Sequence, residues 1–264
     1  MKSVGVNKAI MPTSQLLVLA LIAGAFISFG AMYYTVVMTN PGESFGPSRM
    51  LGGISFSLGF ILVVIAGAEL FTGNNLIVMA WAGGLVSTPQ LLRNWGLVYI
   101  ANMIGAFGTL LMVVMSGYLD GDHYGVGVTA VNTAIHKVDH NFTEAFFRGI
   151  FCNALVCLAS WMCYAARSVT DKTLAIIFPV SAFVAMGFEH CIANMFMIPL
   201  GIVASMDSHI VELGGFTAAE MQNLTTVGFL NNILPVTLGN IVGGAGMVAF
   251  VYYFIYLRGK GEGI

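Results

Sequence analysis

The chain has 264 residues, of which 58% are hydrophobic and 8% are charged, and its mean hydropathy is +0.87. A soluble domain carries about 25% charged residues, so this composition excludes most soluble folds and indicates a membrane protein. The formal net charge is −2 at pH 7, and no basic patch indicates a nucleic-acid partner.

The apolar stretches predict six membrane spans, since a bilayer is crossed by about 20 residues of helix. In chain order they cover about residues 16–38, 50–85, 94–118, 143–166, 172–206 and 229–257. Spans 2 and 5 exceed 30 residues, and each carries a polar insert in its middle. This length and interruption predict that spans 2 and 5 are broken helices.

The two polar inserts resemble each other. Span 2 contains "GAELFTGNN" from Gly67, and span 5 contains "GFEHCIANM" from Gly187; in both, an Asn follows the Glu by five positions. Helix breaks expose backbone groups that lipid cannot hydrogen-bond, so they are tolerated only inside protein or beside a water-filled path. We expect Glu69 and Glu189 to accept from exposed N–H groups, and Asn74 and Asn194 to cap the restarting half-helices. These pairs either support the breaks structurally or contact a substrate directly.

Spans 3 and 6 extend the duplication. Three positions match between them, pairing Asn94 with Asn232, Asn102 with Asn240, and Gly105 with Gly243. Because each half has three spans, the second half must enter the membrane upside down. The sequence therefore predicts an all-α membrane fold, a 3+3 inverted repeat with halves at about residues 10–120 and 140–258.

Lysine and arginine predict that both termini are cytoplasmic, because cytoplasmic loops carry an excess of these residues. Seven of them then lie inside: Lys2, Lys8, Arg93, Arg167, Lys172, Arg258 and Lys260. Only Arg49, Lys137 and Arg148 lie outside. Lys137 belongs to a polar stretch, residues 119–141, which we interpret as an outer loop. Such a run is either a solvated loop or a vestibule that attracts anions.

The most specific stretches of the chain are "GAELFTG", "HKVDHNF", "CNALVCLASWM", "GFEHCIANMFMIPLGI" and "VTLGNIVGG". On these, the sequence resembles the formate–nitrite transporter family, and within it the formate channel branch. The resemblance covers nearly the whole chain, so we expect a single channel domain over residues 1–264. It implies an aquaporin-like six-helix fold, a homopentamer with one anion pore in each protomer, and residence in the cytoplasmic (inner) membrane of a bacterium. Members usually begin with an amphipathic helix, and this chain has few residues before span 1.

The resemblance also implies roles for individual residues. It places His190 at the pore centre with Thr72 opposite, and Asn153 and Asn240 beside the pore. It assigns two narrow constrictions, above and below a central chamber, to Phe56, Phe60, Leu70, Phe71 and Phe183. Each position has a simpler explanation: a buried packing histidine, a loop-capping threonine, interhelical hydrogen bonds, or an aromatic core stripe. His190 is the strongest candidate, because ionisable groups inside membranes are costly and usually functional.

The leading interpretation is a channel for formate, passive or coupled to protons, working in lipid without a cofactor. Nitrite or hydrosulfide are alternative anions for the same fold. A neutral-solute pore of the aquaporin type is a further alternative, although its paired Asn-Pro-Ala motifs are absent. An enzyme is not expected, because no nucleophile–base pair or metal cluster is visible in the sequence.

Overall fold

The computed structural model describes residues 2–42 and 44–258, and within these ranges the chain forms helices and no strands. The first half contains α1 Lys2–Ala9, α2 Thr13–Val37, α3 Phe45–Ala66, α4 Phe71–Asn74, a 3₁₀ turn Asn75–Ile77, α5 Val78–Ala82 and α6 Thr88–Met115. A 3₁₀ turn Tyr118–Asp120 and α7 Gly125–Val138 connect the halves. The second half contains α8 Phe142–Ala165, α9 Val169–Ala185, α10 Cys191–Ala204, α11 Ser208–Gly214, α12 Thr226–Ile241 and the wider-wound stretches Val242–Phe250 and Tyr253–Leu257. Lys260, which we counted as cytoplasmic, lies outside the described residues.

Five stretches of the described chain are long and apolar enough to cross a membrane: α2, α3, α6, α8 and the continuous Thr226–Leu257. The fifth predicted span divides into α9 and α10, each shorter than a bilayer crossing, and α11 then turns away from α10 by 98°. The prediction of an all-α membrane fold with two interrupted spans is confirmed.

Both breaks begin with a glycine in the left-handed region. Gly67 follows α3 with φ +75°, and Gly187 follows the end of α9 with φ +72°. A residue with a side chain rarely adopts this conformation, so glycine is the natural way to end each half-helix. Three residues then run extended before α4 and α10 begin, as the duplicated motif predicts.

The two halves pack in the same way, because glycines let equivalent helices approach closely. Gly105 of α6 lies against the Leu21 carbonyl of α2, and Gly243, just beyond α12, lies against the Ile150 carbonyl of α8. In lipid the hydrophobic effect does not drive helices together. Their association depends instead on the close packing that small residues at such crossings permit. The broken helices α3 and α9 meet in the middle, where Gly53 contacts the backbone of Ser181.

The interpretation of residues 119–141 as an outer loop was wrong in part, because α7 occupies Gly125–Val138 and packs against α10. Its buried side follows helical spacing through Val126, Ala130, Ala134 and Val138. The charges that suggested a loop are concentrated before the helix and in its last turn. Basic residues in the last turn interact favourably with the negative end of the helix dipole. An amphipathic helix covering the bundle therefore replaces an open loop.

Candidate pore and its central pair

Two cavities enter the protein from opposite ends and approach the helix breaks. The larger has a volume of about 600 Å³ and is lined by Lys137, Glu189, Phe56, Phe183 and His190 among others; we call it the Lys137 vestibule. The smaller, the Lys8 vestibule, has about 270 Å³ and is lined by residues that include Lys8, Glu69, Phe60 and Leu70. One cavity therefore reaches each break.

Large apolar side chains line both vestibules. Phe56 and Phe183 meet edge to face with ring centroids 5.9 Å apart, and both line the Lys137 vestibule. Phe60 lies one helical turn from Phe56 and lines the Lys8 vestibule with Leu70. All four side chains are buried. Their role as two constrictions that exclude hydrated ions by dewetting stays a prediction.

Phe71 has a different position from the other predicted constriction residues. Its ring packs edge to face on Tyr99, with centroids 4.9 Å apart, and on Trp95 at 6.0 Å. It lines neither vestibule. Phe71, the first residue of α4, therefore packs against α6 and holds the restarting half-helix there.

Thr72 and His190, the residues expected at the pore centre, touch each other. Oγ1 of Thr72 and Nε2 of His190 are 2.9 Å apart, although the residues come from the two different breaks. The His190 ring also stacks on Phe183, with centroids 6.2 Å apart and planes 20° apart. The predicted opposition of Thr72 and His190 is present in the structure as a direct hydrogen bond.

The other ring nitrogen of His190 caps a helix. The Ala193 N–H donates to Nδ1 at 3.1 Å, so His190 is the N-cap of α10. Nδ1 is therefore the unprotonated nitrogen of the neutral ring, and Nε2–H donates to the Thr72 hydroxyl. The Thr72 hydroxyl proton remains free to point at a ligand. A second ring proton could be added only by giving up the bond to α10.

In the first break, Glu69 is held by side chains. Its Oε1 accepts from Nζ of Lys8 at 2.6 Å, and its Oε2 accepts from Nδ2 of Asn74 at 2.8 Å. Asn74 also donates to Asn94 at 2.9 Å, and Asn94 donates to the Lys8 carbonyl at 2.9 Å. The expectation that Glu69 accepts backbone N–H groups was wrong, because a lysine and an amide reach its carboxylate instead.

The second break repeats this arrangement atom by atom. Oε1 of Glu189 accepts from Nζ of Lys137 at 2.9 Å, and Oε2 accepts from Nδ2 of Asn194 at 2.6 Å. Asn194 donates to Asn232 at 2.7 Å, and Asn232 donates to the Lys137 carbonyl at 2.7 Å. Here too a lysine and an amide replace the backbone donors that we expected for Glu189.

One contact separates the two networks. Lys8 also donates to Oδ1 of Asn74 at 3.1 Å, whereas Oδ1 of Asn194 is buried and has no hydrogen-bond partner in the described chain. Neither Asn74 nor Asn194 caps its half-helix as expected, because both side-chain amides donate hydrogen bonds to the break glutamates. Both Glu–Asn pairs thus support the breaks structurally.

Asparagines of the third and sixth spans accept the first N–H of each restarting half-helix, in addition to the cap that His190 gives α10. Oδ1 of Asn102 accepts from the Phe71 N–H at 3.0 Å, and Oδ1 of Asn240 accepts from the Cys191 N–H at 2.9 Å. Each also donates to the carbonyl of its break glutamate at 3.0 Å. Asn102 and Asn240 therefore fix the second part of each extended segment and its junction with the half-helix that follows.

Asn153 and Asn240, expected beside the pore, are directed at backbone. Asn153 donates to the Asn240 carbonyl at 2.7 Å and to the Thr72 carbonyl at 3.3 Å. Both asparagines are fully buried, and neither lines a vestibule. They hold Thr72 and Cys191 in place, and the simpler explanation, interhelical hydrogen bonding, describes their contacts.

Three functional positions escaped the sequence analysis. Lys8 was counted only as a cytoplasmic charge, and Arg49 and Arg148 only as outer charges, yet all three line a vestibule. The signal for Lys8 was present: it stands shortly before span 1 as Lys137 stands shortly before span 4.

His140 lies near Lys137, and burial lowers the pKa of its imidazole, which favours the neutral ring.

Comparison with known proteins gives consistent matches over the whole length. A family model described as "Formate/nitrite transporter" matches residues 1–254. The chain is 43% identical to the formate channel FocA of Escherichia coli (strain K12), covering 96% of this chain and 90% of that protein. It is also 43% identical to the formate channel FocA of Haemophilus influenzae, over 84% of this chain and 80% of that protein. A solved structure, "Pentameric formate channel with formate bound", superposes with a TM-score of 0.86 at 42% identity, covering 93% of this chain and 98% of that one.

Proposed function

The chain belongs to the formate/nitrite transporter family, and we propose that it is a formate channel that moves the anion through a pore in each protomer. The observation that carries the proposal is the Thr72–His190 hydrogen bond, which lies between two vestibules lined by large apolar side chains. The names of the relatives, all channels or transporters, support a transport function over an enzymatic one.

The apolar constrictions set the problem that the central pair solves. A bare carboxylate loses its water there, and an unpaired anion in such surroundings costs many kcal/mol. The Thr72 hydroxyl, which receives the His190 Nε2–H, has its own proton available for a carboxylate oxygen. Formate is thereby solvated at the point where water is excluded.

His190 provides a second way to lower the cost. Formate, nitrite and hydrosulfide accept a proton readily, so each can cross a constriction as the neutral acid, whereas chloride cannot. To supply that proton, the His190 ring first takes one up at Nδ1 and gives up its bond to the Ala193 N–H. Nε2–H then passes to Thr72 while the Thr72 hydroxyl proton passes to the anion, which leaves the ring neutral. The proton taken up at Nδ1 is then a second partner of transport. Asn153 and Asn240 contribute by holding the backbone of this site in register.

Assembly and orientation complete the proposal. The similar channel of known structure is described as pentameric, and this chain carries the glycine-lined crossings of a closely packed bundle. We place the homopentamer in the cytoplasmic membrane of a bacterium with both termini inside, as the excess of lysine and arginine predicts. The Lys8 vestibule then opens to the cytoplasm, and the Lys137 vestibule opens outside.

Lys137 contributes to an anion-attracting vestibule in this scheme, together with nearby arginines. Its ammonium is bound to Glu189, so most of its charge is compensated locally. The same applies to Lys8 with Glu69. The two lysines keep the break carboxylates from presenting bare negative charge to an entering anion.

Flux into proteoliposomes tests the function. Formate, nitrite and hydrosulfide are compared in parallel, with glycerol as the neutral control and protein-free liposomes as the blank. Formate uptake well above the blank, with glycerol at the blank, supports the proposal. Glycerol uptake equal to that of formate would identify a neutral-solute pore instead.

A further inference from the structure

Two arginines meet across the turn at Gly187, inside the Lys137 vestibule. Nη1 of Arg148, on α8, donates to the Gly187 carbonyl at 2.8 Å. Arg49, on α3, reaches the same turn from the other side and donates to the Val184 and Ala185 carbonyls, each at 3.2 Å. Both guanidinium groups thus sit at the C-terminal end of α9, where carbonyls without helical partners need donors.

The missing side chain of Gly187 leaves a space between them. A Cβ at this position would lie 3.1 Å from Nη2 of Arg49 and 3.2 Å from Nη1 of Arg148, so the two nitrogens are no farther apart than the sum of these distances. Two nitrogens within this limit can each donate to one oxygen of a small carboxylate that lies against the Gly187 Cα. Any side chain at residue 187 would enter the space and would also be strained at φ +72°.

Arg148 has most of its donors to spare. A guanidinium carries five N–H groups, and Arg148 uses one of its two η nitrogens, for Gly187, among the contacts of the described chain. Arg49 is more fully engaged, with its Nη1 at 3.4 Å from the Tyr34 hydroxyl. Arg148 lines the cavity of about 600 Å³ that also reaches His190.

The positive charge of this pair has no carboxylate partner within the described residues. Glu189 is the carboxylate in the vestibule lining, and Lys137 already occupies it. Two half-buried like charges at this range repel each other, so an anion between them is stabilised by both. The Lys8 vestibule differs, since Lys172 is its one cation beyond the Lys8–Glu69 pair.

From these observations we infer that Arg49, Arg148 and the Gly187 turn form a binding site for one small oxyanion at the wall of the Lys137 vestibule. Given the proposed function, its ligand in transport is the carboxylate that next moves to Thr72 and His190. The site makes the two ends of the pore unequal: anions entering from the Lys137 side are held by a two-arginine clamp before the constriction, and those entering from the Lys8 side are not.

The test measures anion binding directly, without relying on transport. Radiolabelled sulfate, a divalent oxyanion, is titrated onto the purified protein in detergent, and unlabelled formate is added as competitor. We expect saturable binding of one sulfate per protomer that formate displaces. Arg148→Leu should weaken it about tenfold or more, because a charge-assisted hydrogen-bond donor is lost. Lys172→Leu, the matched loss of one charge in the other vestibule, should leave it unchanged.

Two further variants distinguish specific binding by the two arginines from a general attraction of anions by positive charge. Arg148→Lys keeps the charge but loses the fork geometry, and should bind sulfate more weakly than the parent. Gly187→Ala keeps both arginines but fills the space between them, and should also weaken binding in protein that still elutes as the assembled oligomer. Absence of saturable sulfate binding, or equal weakening by Arg148→Leu and Lys172→Leu, would overturn the inference. Sulfate binding without formate flux would instead remove the proposed function and leave the site.

Discussion

Nε2 of His190 and Oγ1 of Thr72 lie 2.9 Å apart, at the one place within the described chain where a hydrogen bond between two side chains joins the two broken spans. Each residue belongs to a different half of the repeat, and each is fixed from behind. The Ala193 N–H holds the His190 ring, and Asn153 holds the Thr72 carbonyl. The pair is therefore rigidly presented, which makes its contribution accessible to substitution.

His190→Asn should leave an assembled protein with altered transport. Asparagine is a favourable N-cap and can accept the Ala193 N–H in place of the ring, so α10 keeps its start. The titratable ring is lost, so formate flux should fall most at mildly acidic pH, while any chloride leak stays or rises. Flux is measured in proteoliposomes from about pH 5 to about pH 8, the range in which histidine usually titrates. Unchanged formate flux over that range would leave His190 as a packing residue.

Thr72→Val should reduce formate flux about tenfold, since one hydrogen bond to a charged ligand contributes about 1.5–3 kcal/mol. Valine keeps the shape of threonine and removes only the hydroxyl. Thr72→Ser is the matched control, because it retains the hydroxyl and loses a methyl group. Equal flux through the Val and Ser variants would show that the hydroxyl does not contact the anion.

Lys137→Met should destabilise the protein by about 3–5 kcal/mol, because it leaves the buried Glu189 carboxylate without its partner. The loss should be similar at low and high salt, since a buried pair is screened little. The double variant Lys137→Met with Glu189→Gln should recover part of the loss. Thermal unfolding in detergent measures the stability of the Lys137→Met, Glu189→Gln and double variants. Full additivity of the two single changes would indicate that the pair is not coupled.

Gly105→Ala and Gly243→Ala should both reduce the yield of folded protein strongly, because each new methyl group would collide with a backbone carbonyl of the neighbouring helix. Gly108→Ala and Gly246→Ala are controls on the same segments, and a Cβ at either position meets nothing within 4 Å. These controls should be neutral or slightly stabilising, since glycine costs about 1 kcal/mol in a helix relative to alanine. The measurement is the recovered oligomer and its melting temperature. Tolerance at residue 105 with failure at residue 243 would contradict the equivalence of the two halves.

Much of the fold could be predicted, because its determinants are local in the sequence. The interruptions of spans 2 and 5 follow from Gly67 and Gly187 with the polar residues after them, and the repeat follows from matching asparagines. The opposition of Thr72 and His190 was available from family resemblance alone, since it joins residues 118 positions apart.

The partners of the break glutamates could not be predicted from local pattern. Lys8 and Glu69 are separated by 61 positions, and Lys137 and Glu189 by 52. A lysine outside a span is assigned to solvent by its polarity, and only the folded chain shows that its ammonium reaches a buried carboxylate. The same reasoning misassigned α7, whose apolar face is interrupted along the sequence and becomes continuous only on the helix.

The division of the central pair between the two breaks has a consequence for the symmetry of the protomer. With Glu69 equivalent to Glu189, Leu70 is the counterpart of His190, and Ile192 is the counterpart of Thr72. Because Thr72 and His190 stand at different positions of the repeat, two-fold symmetry gives their contact a counterpart, the place where Leu70 and Ile192 stand. The break glutamates and the asparagines around them occur in both halves, whereas the central hydroxyl and imidazole occur once. Each protomer therefore has one polar central pair, although the symmetry of its scaffold provides two equivalent places for it.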